Sequence, residues 1–354
     1  MIDTLGLSLE VAKVGLLLFS VVNVVPVMNW VERRAAALIQ DRPGPNRVGP
    51  FGLLQPIADV IKFLWKEDPI PQGVNRWLYA LAPFLSLLPA TLVIAALPMG
   101  DYVEILGRQI QLQVADMNVG LLYFMAIGSL SIYGILFGGW ASNNKFSLIG
   151  SMRSSSQIIS YEIPLGLAAA AAVVLYGSFS LREMTLAQEG TWFGFIPRWG
   201  VFVQPLGFLL FFIASFAETN RLPFDLPETE AELVAGYHTE YGSMKFATFF
   251  MAEYMNLASI SGLMVCLYFG GWHLPWVSDG QLVALLGRNL TGLLQFIVFF
   301  TKVYLFLMVY VWVRWTVPRF RFDQLMDLAW RNLIPLGLVN LVLTAIGLYY
   351  LEGR

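Results

Sequence analysis

Eight apolar runs, at about 9–31, 78–98, 118–139, 160–177, 201–217, 246–271, 291–313 and 332–351, punctuate the chain. Each is near the roughly 17–25 residues that carry a helix across a bilayer. Within each run the apolar residues are continuous and do not alternate, so the pattern predicts transmembrane helices and excludes barrel strands. The segment GLLQPIADVIKFLWKED, between the first two runs, follows another rule. Leu53, Leu54, Ile57, Ile61, Leu64 and Trp65 recur at helical spacing, with Asp59, Lys62 and Lys66 among them. This predicts an amphipathic helix lying on the membrane face, with a small buried loop helix as the alternative. Ahead of it, Pro43, Gly44, Pro45, Gly49 and Pro50 set tight turns in RPGPNRVGP. The stretch from Trp140 to Ile159 reads as a serine-rich loop that caps or hydrates the fourth span, with Pro164 in that span's first turn. The alanine run Ala168–Ala172 permits close helix approach. There is no internal repeat. The expected architecture is an all-α integral membrane protein of about eight transmembrane helices plus the amphipathic helix of the first loop, one polytopic domain over 1–354.

Composition strengthens this picture. The chain is 57% hydrophobic and only 13% charged, against about 25% charged in ordinary soluble domains. Asp3 and Glu10 precede the first apolar run and no small-residue cleavage site follows it, so that span is expected to be retained. Fifteen of the 22 Lys and Arg residues fall in loops after the first, third, fifth and seventh spans. The positive-inside rule then puts these odd loops in the cytoplasm and both termini outside. The even loops are short, and their Trp192, Trp199, Trp272 and Trp276 read as interfacial anchors. The single cysteine, Cys266, excludes an internal disulfide and an all-thiolate iron–sulfur cluster. His238 and His273 flank the sixth span at opposite ends, which argues against a bis-histidine haem.

The densest chemistry lies in AETNRLPFDLPETEAELVAGYHTEY, Ala217 to Tyr241, which carries Glu218, Asp225, Glu228, Glu230, Glu232, Glu240 and one base, Arg221. A solvated loop with acids favoured by a helix dipole is the simpler reading. Other acids resist it. Glu162 stands at the mouth of an apolar run. Glu253 lies eight residues beyond Lys245, roughly 12 Å along a helix and so within the bilayer. Carboxylates at membrane depth are functional candidates by default. When close together they titrate as a coupled set able to pass protons. Glu162, Glu218, Glu228, Glu232 and Glu253 are therefore expected to converge in a hydrated acidic path on the inner side. Arg33, Arg34, Arg42 and Arg47 read either as an anionic-lipid patch or, given their turn-rich surroundings, as a docking surface for another protein.

Four segments carry a specific resemblance: ERRAAALIQDRPGPNRVGPFGLLQPIADVIKF, SMRSSSQIISYEIP, AETNRLPFDLPETEAELVAGYHTEYGSMKFATFFMAEY and RWTVPRFRFDQLMDLAWRNLIP. In this order they resemble the quinone-binding membrane subunits of proton-translocating NADH–quinone oxidoreductase, respiratory complex I (the H subunit in bacteria, NADH dehydrogenase subunit 1 in mitochondria). The likeness covers nearly the whole chain. It implies that ubiquinone or menaquinone, as substrate, passes between the first span, the amphipathic helix and the sixth span. Glu32, Arg33, Asp59 and Arg221 would line or support that path. Glu162, Glu218, Glu228, Glu230, Glu232, Glu240 and Glu253 would form an acidic funnel toward antiporter-like subunits. The resemblance further implies a bacterial inner membrane, peripheral quinone-site and iron–sulfur subunits as cytoplasmic partners, small and antiporter-like membrane subunits, and lipids. No nucleic acid is implied, and no flavin, haem or iron–sulfur cluster in this chain.

Two other readings compete. The first is the equivalent subunit of a membrane-bound hydrogenase or formate hydrogenlyase, in which the loops dock a hydrogenase and no quinone need bind. The second is a stand-alone ion transporter, which usually shows two related halves with broken helices; no such symmetry is visible. A passive anchor does not explain acids placed inside spans. No residue is catalytic in the usual sense.

Overall fold

The computed structural model describes residues 4–192, 194–226 and 230–352. The first span is two helices, α1 (Thr4–Val22) and α2 (Val24–Ile39), broken at Asn23, whose amide donates to Phe19 O at 2.7 Å. The apolar stretch Gly6–Ile39 has 34 residues, about 50 Å of helix at 1.5 Å per residue, far more than a hydrocarbon core of about 30 Å requires. The end of α2, with Glu32, Arg33 and Arg34, therefore reaches the membrane edge or beyond it. Helix α3 (Gln55–Trp65) follows, and its Ile57, Val60, Ile61, Leu64 and Trp65 are exposed, as the amphipathic pattern predicts.

The span Arg76–Ala96 holds α4 (Arg76–Leu92), begun by Asn75, whose side chain accepts from the N–H groups of Trp77 and Leu78. A hairpin of β1 (Tyr102–Ile105) and β2 (Arg108–Gln111) comes next, pairing Tyr102 with Gln111 and Ile105 with Arg108. Its two-residue turn puts Leu106 at φ 53° and Gly107 at φ 77°, the left-handed pair that a tight hairpin needs. Helices α5 (Gly120–Ser129) and α6 (Ser131–Ala141) make the third span.

Helix α7 (Lys145–Tyr176) corrects the sequence reading. Asn144 caps it, so the serine-rich stretch is helix and not loop. Ser147, Ser151, Ser154 and Ser155 face neighbouring helices and are buried. Small residues let helices approach closely: Ser151 Oγ donates to Leu148 O at 2.9 Å and Ser154 Oγ to Asn220 Oδ1 at 3.3 Å, while the hydroxyls of Ser147 and Ser155 have no hydrogen-bond partner among the described residues. Pro164 consequently sits in the interior of α7, and Glu162 near its middle rather than at its mouth.

The fifth span is shorter than expected. After α8 (Leu181–Leu186), the small pair β3 (Thr191–Trp192) and β4 (Ile196–Pro197), and α9 (Gly200–Val203), the chain breaks at Gln204 and runs through α10 (Pro205–Glu218), of only 14 residues. With α10 counted, the described residues hold the seven long apolar helices and one short one. The odd loop beyond contains α11 (Glu230–Leu233). Helix α12 (Ser243–Tyr268) is the most buried of the long spans and forms the axis of the core with Leu263, Met264 and Leu267. Lys302 completes its far end: the Nζ donates to the carbonyls of Phe269, Gly271 and His273 at 2.6–2.9 Å, where helix carbonyls lack partners of their own. Helix α13 (Asp279–Leu286), α14 (Arg288–Thr316), α15 (Phe322–Asp327), a π turn over Leu328–Leu333 and α16 (Ile334–Glu352) end the chain.

The loops segregate to two faces. Odd-loop residues pair with one another, as in Lys245 with Asp68 at 2.7 Å and Arg319 with Asp225 at 3.0 Å. Even-loop residues do likewise: Asp101 takes Arg182 at 2.6 Å and also Arg288. Of the expected interfacial tryptophans, Trp276 is exposed but Trp272 is fully buried. It belongs to the main hydrophobic core, so it is a core residue and not an anchor.

Candidate functional site

Near the odd-loop face, three helices and one loop bring opposite charges together out of water. Helix α2 supplies Glu32, α12 supplies Glu253 and Tyr254, α14 supplies Arg314, and the turn after α10 supplies Arg221. Arg221 Nη1 donates to Glu32 Oε1 and Oε2 at 3.2 and 3.3 Å. Its Nε lies 2.7 Å from Glu253 Oε1. Tyr254 Oη donates to Glu32 Oε2 at 2.5 Å, and Arg314 Nη1 also donates to Glu32. The Arg221 guanidinium stacks over the Tyr254 ring, 4.4 Å from its centroid. Arg221 is only 5% exposed. Burial alone would weaken its hold on the proton, but Glu253 and Glu32 outweigh it and raise its pKa well above the ordinary value. The backbone fixes the base: Arg221 N–H donates to Phe216 O at 3.1 Å, and Phe224 N–H to Arg221 O at 2.8 Å.

An apolar cavity of about 540 Å³ leads to this cluster between α1, α2, α3 and α12. Phe19 and Val60 in its wall are exposed, while Tyr254 is buried, so it runs from surface to interior. Arg33 and Asp59 line it and pair at 2.7 Å; Gln55 and Lys62 hold the other Asp59 oxygen at 3.4 and 3.5 Å. A second cavity, about 290 Å³, shares Asn29, Arg33 and Tyr254 with the first and reaches Glu32 and Arg314. A greasy approach thus ends on ordered charge.

Glu253 also faces the other way. Together with Glu218, Asn220, Asn256 and Ser86 it lines a small cavity of about 30 Å³, enough for a water molecule or two. Glu218 Oε2 is buried without a hydrogen-bond partner among the described residues, and Glu162 is its electrostatic neighbour. Gln157 Nε2 donates to Ala217 O at 2.8 Å and Asn220 Oδ1 at 3.2 Å, tying α7 to the end of α10.

The acids of the odd loop are more dispersed. Glu232 is exposed and takes Arg153 at 2.6 Å. Glu240 accepts from Asn144 Nδ2 at 2.6 Å beside Tyr79. Glu228 and the side chain of Glu230 lie outside the described residues. The described acids that come together are Glu32, Glu253, Glu218 and Glu162. Sequence reasoning missed Arg314 and Tyr254, because pairing across 282 and 222 residues leaves no local signal. It also gave His238 no role. This imidazole is buried among Tyr237, Phe246 and Phe250, with ring centroids 4.8–6.4 Å away. Burial, only partly opposed by Glu253, pushes its pKa down to about 4.

Known proteins resemble this chain over most of its length. Residues 12–345 match the family model described as NADH dehydrogenase. A protein of Cytophaga hutchinsonii, named as an H subunit (number 1) of NADH-quinone oxidoreductase, is 49% identical over 315 residues, 89% of each chain. The protein of that name from Geobacter metallireducens is 46% identical over 340 residues, 96% of each chain. An NADH-quinone oxidoreductase H subunit of Bdellovibrio bacteriovorus is 43% identical over 376 residues, 98% of each chain.

Proposed function

As a chain that belongs to the NADH dehydrogenase family, this protein is, we propose, the membrane subunit of an NADH–quinone oxidoreductase that takes up quinone and couples its reduction to proton translocation. It acts as one polytopic unit in a bacterial inner membrane, with odd loops in the cytoplasm. The observation that carries the reading is the continuity from the cavity between α1, α2, α3 and α12 to the Glu32–Arg221–Glu253–Arg314 cluster. An isoprenoid tail suits the apolar walls; the carbonyls of a quinone headgroup, which only accept, suit donors such as Arg33 and Tyr254 in the lining, and Asp59 can accept from a quinol hydroxyl. The chain offers this substrate a route; electrons reach it from a partner subunit that holds the redox centres.

Reducing a quinone to a quinol consumes two electrons and two protons. The quinol formed is neutral, so charge changes beside Glu32 and Arg221 through the two protons, which are drawn from groups near the headgroup once the electrons arrive. Glu253 belongs both to that cluster and to the water-sized cavity shared with Glu218. A change in how tightly Arg221 holds Glu253 alters the field on Glu218 and Glu162, which answer by shifting protons or water. Glu228, Glu230, Glu232 and Glu240 would extend this response through the odd loop toward membrane partners.

Ala247→Trp tests the route, since Ala247 lines the larger cavity and has no part in the charge cluster. In inside-out membranes the NADH–quinone rate should fall roughly tenfold or more, while NADH–ferricyanide reduction, which reads the electron-input side of the assembly, persists. Full quinone reduction through a blocked cavity would remove it as the path.

A further inference from the structure

A second crevice lies on the opposite flank, between the end of α7, the start of α10 and α16, with a volume of about 340 Å³. Its walls are apolar, among them Leu175, Leu206 and Leu343, and its lining residues include no charge. Three neutral polar residues interrupt it: Gln204, Asn340 and Thr344. Gln204 Nε2 donates to Ala171 O and Thr344 Oγ1, both at 2.9 Å, and Thr344 Oγ1 donates to Asn340 O at 2.8 Å. One acceptor and one donor are left over. Gln204 Oε1 and Asn340 Nδ2 have no partner among the described residues, although the two residues are only 3% and 5% exposed. Gly207 packs against the pair, since a Cβ there would stand 3.0 Å from Asn340 Nδ2 and 3.4 Å from Gln204 Oε1.

Depth decides what such a pair recognises. Asn340 is nine residues before Tyr349, which is 77% exposed near the end of α16, so it lies roughly 13 Å deeper along the helix. Ala171, which Gln204 holds, is five residues from the end of α7, roughly 7 Å in. Both depths fall inside a hydrocarbon core about 30 Å thick, below lipid headgroups and without water. An unmet donor and acceptor are costly there. Phosphates and ester carbonyls only accept and would leave Gln204 Oε1 unmet. A hydroxyl or a carboxamide donates and accepts at once. Beside the pair, Asn340, Thr344 and Gly347 follow at i, i+4 and i+7 on one face of α16, and nothing stands within 4 Å of a Cβ built on Gly347. A small residue there lets another helix approach closely.

We propose that this crevice seats a transmembrane helix of another subunit, which inserts a Ser, Thr, Asn or Gln side chain between Gln204 and Asn340. The proposal rests on reading the chain as one subunit of a membrane assembly, but not on the quinone route, which lies on the other flank.

The test is photocrosslinking in native membranes, with benzoylphenylalanine at Leu343 in the crevice wall and, as control, at Val342, which points elsewhere on α16. Leu343 should yield an adduct with one discrete membrane polypeptide, and mass spectrometry should map it to a helix bearing one of those four residues. Asn340→Leu should weaken the adduct roughly three- to thirtyfold, the range for a lost interhelical hydrogen bond, and Gly347→Leu at least as much. The NADH–quinone and NADH–ferricyanide rates in the same membranes report whether each variant assembles. Adducts with lipid alone, no adduct from assembled protein, or an adduct indifferent to Asn340→Leu would overturn the proposal. None of these outcomes touches the cavity that Ala247→Trp tests.

Discussion

At the residue scale, Glu32 and Arg221 are charges buried where an opposite charge and a hydrogen bond await them. Glu32 accepts from Arg221, Arg314 and Tyr254, so its desolvation is offset from three sides. Removing one partner of such a cluster typically costs about 3–5 kcal/mol, because it strands the remaining charge. His238 follows the other strategy and is buried neutral. Its pKa is about 4 in the fold, against about 6.5 in an unfolded chain. Between those values the unfolded chain binds more protons, so stability is full above about pH 6.5 and falls as pH drops toward about 4, by about 3 kcal/mol in all. His238→Asn removes a titrating group. The difference in Tm of the purified assembly between about pH 7 and pH 5 should therefore shrink; an unchanged difference would assign the acid sensitivity to other groups. The acids and Arg221 were legible in the sequence because charge is rare between apolar runs. The pairing of Arg221 with Glu253 was not, because it depends on the rotation of α12 against the turn after α10.

At the element scale, glycine and serine set how near the helices come. A Cβ on Gly139 of α6 would meet Ser151 Oγ at 2.3 Å and Ser147 O at 2.5 Å, the second an atom of the α7 backbone that cannot swing aside. Gly139→Val should push α6 from α7 and sharply lower the amount of assembled protein, measured by immunoblot of membranes, whereas Gly166→Val, where nothing lies within 4 Å, should be tolerated. The same contact explains the largest departure from the sequence pattern. SMRSSSQIIS lacks apolar periodicity and reads as loop, yet α7 runs through it because its serines pack on small residues of neighbouring helices. Polarity marks a loop only when the alternative is water. Between close-packed helices a hydroxyl can satisfy itself on its own helix, and its small size becomes the asset. The amphipathic α3 was legible for the converse reason: exposed apolar residues at helical spacing have few other uses beside a membrane.

At the scale of the whole molecule, the loops divide between two faces, and the assignment of faces to compartments makes a direct prediction. Leu106, at the tip of the β1–β2 hairpin, is 74% exposed, and Cys266 is fully buried and will not react. A Leu106→Cys variant should label with an impermeant maleimide in intact spheroplasts; labelling only from inside-out membranes would invert the topology. Local sequence was enough to establish that the chain is a helical membrane protein, which family it belongs to, that α3 is an amphipathic helix, and which acids are out of place in apolar surroundings. Those conclusions follow from local composition and period, which the absence of water inside a bilayer enforces residue by residue. Packing between distant segments was needed to show that α7 begins at Lys145, that Trp272 is core, that Tyr254 and Arg314 join the Glu32 cluster, and that Glu253 links Arg221 to the small cavity it shares with Glu218. These depend on the tilt and rotation of helices packed from distant parts of the chain, and such packing is a property of pairs of surfaces that no single segment encodes.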